Sequence, residues 1–147
     1  MIEPVRHCDW FSLNAKFRPV ARELYKFLID SHKAGRLQFR FELFESFRSA
    51  ERQDYLFAKG VSEARAGQSP HNYGLAIDLV PNLTQHEATG LGKPAGWYWP
   101  PITDPAWQIL QNAATTRGLE VISWDKPHVQ LRGWKAHRIR KGLTKAE

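Results

Sequence analysis

The sequence contains a single cysteine, Cys8, among its 147 residues. One cysteine cannot form an internal disulfide, and it supplies too few thiolates for a structural zinc site. No apolar run is long enough to cross a bilayer, and residues 1–11 lack the charged, apolar and small-residue order of a secretory signal. We therefore expect a chain without a membrane span that is cytoplasmic when synthesised, and a fold that rests on packing and on any metal held by nitrogen or oxygen ligands.

Internal repeats and low-complexity tracts are also missing, and the length suits one domain. The composition, 42% hydrophobic and 12% aromatic, is sufficient for one core. We expect a monomeric single domain over 1–147, with a core over about 14–131 and a basic tail over 132–147. The tail is interpreted as a solvated segment, with a binding element as the alternative.

The formal net charge is +6 at pH 7. A basic surface attracts polyanions, and the charge alone does not select among nucleic acids, anionic lipids and envelope polymers. Whichever polyanion is bound, added salt would weaken the attraction.

Hydrophobic periodicity predicts an α+β fold, in which a small antiparallel sheet is covered on one face by about three helices. Segment 82–103 has no usable period and is expected to be a functional loop. The predicted helices span about 14–32, 49–60 and 104–118. The predicted strands span 38–47, 75–80, 120–123 and 128–131, with a turn at Lys126 and Pro127 between the last two.

Two of the six histidines lie in strongly patterned surroundings. His71 comes shortly before the strand that carries Asp78, and His128 is the first residue of the chain's last predicted strand. A hydrolytic zinc site takes three protein ligands of this kind and leaves a fourth position for water. Asp78 shares its strand face with Gly74 and Ala76, whose small size leaves room for a metal and a substrate.

Asp125 and His128 are separated by an odd number of residues, so a regular strand would point them to opposite faces. The predicted turn at Lys126 and Pro127 would bring them together. His128 would then bind the metal, and Asp125 would reach the attacking water. We expect one Zn²⁺ ion held by His71, Asp78 and His128.

The pattern Ser69-x-His71-x-x-Gly74-x-Ala76-x-Asp78, followed by Asp125-x-x-His128, resembles the family of zinc D-Ala-D-Ala carboxypeptidases and L-alanyl-D-glutamate endopeptidases. Several bacteriophage endolysins belong to that family. The resemblance extends upstream to Phe47-Arg48-Ser49 and the helix after it, and covers roughly 41–131. It implies a hedgehog and D,D-peptidase-like fold whose sheet carries the zinc ligands.

The resemblance also implies a role for each matching side chain. Asp125 would be the general base, and Arg48 would polarise the scissile carbonyl of the substrate and stabilise its oxyanion. Ser69 would hydrogen-bond the substrate backbone, which here is a peptidoglycan stem peptide. Many carboxypeptidase members have Glu where this chain has Asp125, so the sequence favours the endopeptidase and endolysin branch.

Each of these residues also has an ordinary structural interpretation. His71 can be a cap, Asp78 a satisfied buried carboxylate and Arg48 a surface ion-pair partner. Trp107 is expected in the core, whereas Trp97 and Trp99 are left open between core and substrate groove.

The leading hypothesis is a peptidoglycan L-alanyl-D-glutamate endopeptidase of phage or prophage origin, acting on the wall after release from the cell. A D-alanyl-D-alanine carboxypeptidase is the first alternative. The second is a non-catalytic, zinc-stabilised module that binds the envelope or nucleic acid through its basic surface. Under the leading hypothesis we expect electrostatic adsorption to anionic envelope polymers, weakened by salt, and no specific nucleic-acid partner.

Overall fold

Five short strands form one antiparallel sheet within residues 2–138, the part of the chain that the computed structural model describes. The sheet order is β1-β2-β5-β4, and β3 pairs with the distal end of β2. The strands are β1 (Phe41–Glu45), β2 (Ala76–Leu83), β3 (Gly96–Trp97), β4 (Glu120–Ile122) and β5 (Asp125–Gln130).

Four α-helices accompany the sheet in the same range, three of them close to the predicted positions. Ser49 caps the second helix by accepting a hydrogen bond from the backbone N–H of Arg52, and Asp104 caps the fourth, which has Pro105 at its start. None of these helices has the length and apolar character needed to span a bilayer. They are α1 (Arg18–Lys33), α2 (Ala50–Ala58), α3 (Gln85–Leu91) and α4 (Pro105–Thr116).

The hydrophobic core lies between one face of the sheet and the helices α1 and α4. Alternation along β2 puts Ile77 and Leu79 on this face, where both are fully buried. Leu28 of α1 and Leu110 of α4 belong to the same cluster. The opposite face of β2 carries Asp78, so one sheet face packs and the other is available for chemistry. The predicted α+β class and antiparallel sheet are confirmed.

The predicted turn at Lys126 and Pro127 is wrong. Both residues lie inside β5, and the hairpin turns at Ser123 and Trp124. The β4/β5 register jumps from the pair Val121↔Val129 to Ile122↔Asp125, so β5 bulges there. Proline is tolerated in this strand because the bulge interrupts the ladder where a backbone N–H would otherwise be needed.

Segment 82–103 is more ordered than its composition predicts. It contains α3, whose start is fixed by a reciprocal cap between Thr84 and Glu87, and the short strand β3. A threonine three residues before a glutamate is a recognised helix-start signal. Here the signal is easily missed, because no apolar period follows it.

Packing extends beyond both ends of the predicted 14–131 core. Leu13 is fully buried, and the carbonyl of His7 accepts a hydrogen bond from the backbone N–H of Ser46. On the other side, Trp134 is buried in a short 3₁₀ turn (Trp134–His137) and packs against Tyr73. The solvated-tail prediction for residues 139–147 lies outside the described residues.

Gly74 is the glycine on which the chain path to the metal-ligand strand depends. It ends the 3₁₀ helix Pro70–Tyr73 with a left-handed φ of 68°. A Cβ placed there would lie 2.7 Å from the backbone nitrogen of Asn14 and 3.0 Å from the carbonyl oxygen of Ser12. The segment before α1 therefore passes so close to this turn that only glycine fits.

We predict that Gly74→Ala destabilises the protein by clearly more than the roughly 1–2 kcal/mol that a left-handed conformation costs an ordinary residue. Gly60→Ala is the matched control, since Gly60 has a φ of 75° but a Cβ added to it would meet no atom within 4 Å. Urea unfolding of both variants measures the difference. Equal losses of unfolding free energy would show that the contact with residues 12–14 has no importance.

Candidate metal centre

Three side chains form a row across the middle of the sheet. Asp78 on β2 pairs with His128 on β5 on one side and with Glu45 on β1 on the other. Directly opposite residues in antiparallel strands share a face, so these side chains lie next to one another. Asp78 is therefore the central residue of the row, and its neighbours are set by strand register.

His71 reaches the row from the 3₁₀ helix that precedes β2. The Ser69 hydroxyl caps this helix by accepting a hydrogen bond from the backbone N–H of His71. The His71 carbonyl accepts from the backbone N–H of Arg48, and its ring Nδ1 lies 2.8 Å from the carbonyl oxygen of Ser46. These contacts fix the imidazole, whose other nitrogen points to Asp78.

The three predicted ligands converge as a zinc site requires. His71 Nε2 and His128 Nδ1 each lie 3.4 Å from Asp78 Oδ1. One ligand atom from each residue lies within 4.8 Å of the other two. Atoms bound tetrahedrally to zinc at 2.0–2.1 Å are about 3.3 Å apart, which agrees with the two measured separations.

The atoms at the centre of this cluster also lack ordinary partners. His71 Nε2 and Asp78 Oδ1 are buried without a hydrogen bond. Because the Ser46 carbonyl can only accept, His71 carries its proton on Nδ1 and turns a bare lone pair on Nε2 toward a carboxylate oxygen. Two electron-rich atoms buried face to face are costly unless a cation lies between them. The residues therefore fit a metal ion.

Charge and burial shift the pKa values of Asp78 and His128 in opposite directions. Burial raises the pKa of Asp78, but in the metal-free protein the attraction of the His71 and His128 imidazoles in their protonated forms outweighs it and holds that pKa well below its usual range. Burial lowers the pKa of His128, whereas the Asp78 carboxylate raises it, and the net direction is upward. A proton on His128 thus competes with a metal, so metal affinity falls as the pH is lowered.

Asp125 lies at the edge of the cluster. Its Oδ2 is 3.9 Å from His128 Nδ1, and its side chain is 48% exposed, compared with 14% for Asp78. Partial burial and the neighbouring Asp78 carboxylate raise the pKa of Asp125. The bulge in β5 replaces the predicted turn as the feature that brings Asp125 and His128 together. A carboxylate beside the ligands but open to solvent is positioned to exchange protons.

Arg48 is buried, not on the surface. It is 8% exposed, and its Nη2 lies 3.1 Å from Glu45 Oε1 and 3.6 Å from Asp78 Oδ2. Its Nη1 donates to Gln53 Oε1, whereas its Nε is buried without a partner. The guanidinium therefore balances two carboxylates of the row.

Ser69 and the tryptophans have distinct surroundings. Ser69 is 6% exposed, and its hydroxyl caps His71, while its substrate contact stays a prediction. Trp107 is 2% exposed and belongs to the core, as expected. Trp97 and Trp99 both pack edge-on against Phe44, and Trp99 remains 51% exposed.

Several residues of the site were not identified from the sequence. Glu45 holds both Arg48 and Arg52. Gln130 contacts the far nitrogen of His128, and Glu120 contacts Gln130. The spacing of His128 and Gln130 on one strand is a usable signal, because residues two apart share a face. The carbonyl of Ser46 has no signal in the sequence.

Comparison with known proteins gives one curated relative of clear similarity, while no model of a known protein family matches the chain. The relative is the peptidoglycan L-alanyl-D-glutamate endopeptidase CwlK of Bacillus subtilis (strain 168). It is 38% identical over 89 residues, which cover 52% of this chain and 53% of the relative. The predicted family resemblance is confirmed. The match spans only about half the length of the relative.

Solved structures of this peptidase group share the fold. The L-Ala D-Glu endopeptidase ChiX of Serratia marcescens superposes with a TM-score of 0.53 at 18% identity, covering 88% of this chain and 91% of its own. The LD-carboxypeptidase LdcB gives a TM-score of 0.51 at 20% identity, covering 89% of this chain and 72% of its own. At these identities the likeness concerns the fold alone.

We predict that zinc stabilises the protein through these ligands. At a free concentration of 100 times Kd, a ligand bound only by the native state adds about 2.7 kcal/mol, or roughly 5–10 °C in Tm for a domain of this size. Asp78→Asn should lose most of this increase, whereas His86→Gln, an exposed substitution in α3, should keep it. Thermal unfolding with and without zinc tests this expectation. An equal increase in Tm for Asp78→Asn would refute the assignment of the ligands.

Proposed function

We propose that this protein is a zinc-dependent peptidoglycan peptidase, an L-alanyl-D-glutamate endopeptidase that serves as a phage or prophage endolysin. One observation carries the proposal: His71, Asp78 and His128 meet at a buried point with the half-exposed Asp125 beside them. The 38% identity to an enzyme named for this bond supports the choice of substrate.

The chemistry divides between the metal and the chain. A zinc ion at these ligands supplies a Lewis acid and activates water near neutral pH. Asp125 accepts the proton of the attacking water and delivers it to the leaving amine, and its position beside the ligands with half of its side chain exposed suits this role. Its partial exposure lets it reach both water and substrate.

Arg48 has a part in the same reaction. In the proposal, its guanidinium stabilises the negative charge that develops on the carbonyl oxygen of the scissile bond. The contacts with Glu45 and Gln53 hold the guanidinium in place beforehand, so little reorganisation is needed. Ser69 adds a hydrogen bond to the substrate backbone in this scheme.

The stem peptide of peptidoglycan offers two bonds that separate the hypotheses. An endopeptidase releases a new amino terminus on D-glutamate, whereas a D-alanyl-D-alanine carboxypeptidase releases free D-alanine. The aspartate at position 125 and the curated relative favour the first. A non-catalytic zinc module is disfavoured because Asp125 lies beside the ligands and is not needed to complete the three-residue set.

The endolysin role includes synthesis in the cytoplasm and action on the wall after release. The formal charge of +6 supports adsorption to anionic envelope polymers as an accompanying interaction. Cytoplasmic synthesis and adsorption to the envelope are independent of which bond is cleaved.

We predict that zinc-loaded protein converts purified peptidoglycan into muropeptides with amino-terminal D-glutamate, and that Asp125→Asn lowers the rate by about 10²–10⁴-fold while keeping zinc. Product mass analysis and metal content measure the two effects. Asp30→Asn, an exposed substitution in α1, is the control and should be neutral. Free D-alanine would instead favour the carboxypeptidase. An unchanged rate for Asp125→Asn, or no product from the wild-type protein, would exclude the proposed mechanism.

For Arg48→Lys we predict a fall in kcat of about 10²–10³-fold, the usual cost of losing one oxyanion donor, because lysine lacks the planar set of donors that a guanidinium presents. Zinc content should be retained, since a cation still faces Glu45 and Asp78. Steady-state kinetics on a soluble stem-peptide substrate provides the measurement. A variant that is active only when saturated with extra zinc would show that Arg48 acts through the ligand Asp78 alone.

A further inference from the structure

Gln130 and Glu120 form a hydrogen-bonded relay that leads from His128 to the neighbouring strand. The His128 Nε2 lies 2.8 Å from Gln130 Oε1, and Gln130 Nε2 donates to Glu120 Oε1 at 2.5 Å. His128 and Gln130 are two residues apart on β5, and Glu120 pairs directly with Gln130 across the β4/β5 ladder. All three side chains therefore lie on the face of the sheet that carries the metal ligands.

Glu120 fixes the orientation of the Gln130 amide, and with it the direction of the hydrogen bonds. A glutamate carboxylate only accepts hydrogen bonds, so the amide NH₂ of Gln130 must face Glu120. The amide oxygen then faces His128, and because it too only accepts, His128 must donate from Nε2. The remaining nitrogen, Nδ1, is left with a bare lone pair 3.4 Å from Asp78 Oδ1.

We propose that Gln130 and Glu120 are positioning residues that fix the tautomer and orientation in which His128 binds the metal through Nδ1. The inference rests on the metal site of the proposed function, but it does not depend on which bond is cleaved. Outer partners of metal-ligating histidines commonly have this effect on affinity.

The two histidine ligands differ in how their tautomers are fixed. His71 is held by the backbone carbonyl of Ser46, which no substitution removes. His128 is held only by side chains, both of them replaceable. Gln130 is 7% exposed and His128 is 5% exposed, so little water is available to replace the lost contact. Substitution of Gln130 or Glu120 should therefore alter the tautomer and orientation of His128 but not those of His71.

The test measures zinc affinity by competition with a chelator. Gln130→Met keeps the length of the side chain and removes both hydrogen bonds, and it should weaken zinc binding by about 10–100-fold. Glu120→Gln keeps size and hydrogen bonding but lets the two amides flip, and it should weaken binding by about tenfold, the lower end of the same range.

Gln111→Met is the matched control. Gln111 is 7% exposed, like Gln130, and its amide donates to the backbone carbonyl of Ile122 on β4 without touching His128. This variant should bind zinc as the wild type does, even if its Tm is lower. Equal affinities for Gln130→Met and Gln111→Met would overturn the relay.

A second readout uses the zinc-free protein and therefore needs neither metal nor activity. Long-range ¹H–¹⁵N NMR at a pH where the imidazoles are neutral should show His128 as the Nε2–H tautomer in the wild type and as a mixture in Glu120→Gln. His71 should stay in its Nδ1–H form in both. An unchanged His128 tautomer in Glu120→Gln would contradict the relay, and this variant remains informative if Gln130→Met fails to fold. Absent wall cleavage with normal zinc binding would count against the proposed function alone.

Discussion

The structure depends on a buried carboxylate at the centre of its sheet. Asp78 lies between Glu45 and His128 in register and accepts the approach of His71 from the preceding turn. Two neighbouring carboxylates with little access to water repel each other and lose hydration, so the fold must supply cations around them.

Two arginines, Arg48 and Arg52, provide positive charge beside these carboxylates. Arg48 bridges Glu45 and Asp78, and Arg52 of α2 forms ion pairs with Glu45 and with Glu3 near the amino terminus. Asp78 Oδ1, between the two imidazoles, accepts no hydrogen bond from any of the described residues. Such a position suits a metal ion. The three candidate ligands are largely enclosed, while Asp125 is open to solvent.

The sequence was sufficient to predict that His71, Asp78 and His128 come together, and to predict most of the elements that carry them, because each rests on a local signal. The alternation around Asp78, the caps at Ser49 and Asp104, and the Gly74 turn are all encoded within a few residues.

The register of the last hairpin could not be predicted from the sequence. A turn at Lys126 and Pro127 would have paired Glu120 with a different residue of β5, so the contact from Glu120 through Gln130 to His128 was not predictable. The bulge that aligns Asp125 with His128 is likewise a tertiary feature, and the Ser46 carbonyl becomes relevant only once β1 and the turn carrying His71 are packed together.

Anomalous diffraction at the zinc absorption edge, from crystals of the zinc-loaded protein, tests the central claim most directly. The account predicts a single strong peak about 2.0–2.2 Å from His71 Nε2, His128 Nδ1 and one oxygen of Asp78, with Asp125 nearby but not bound. A peak at other residues, or coordination of His128 through Nε2 with Gln130 displaced, would contradict it.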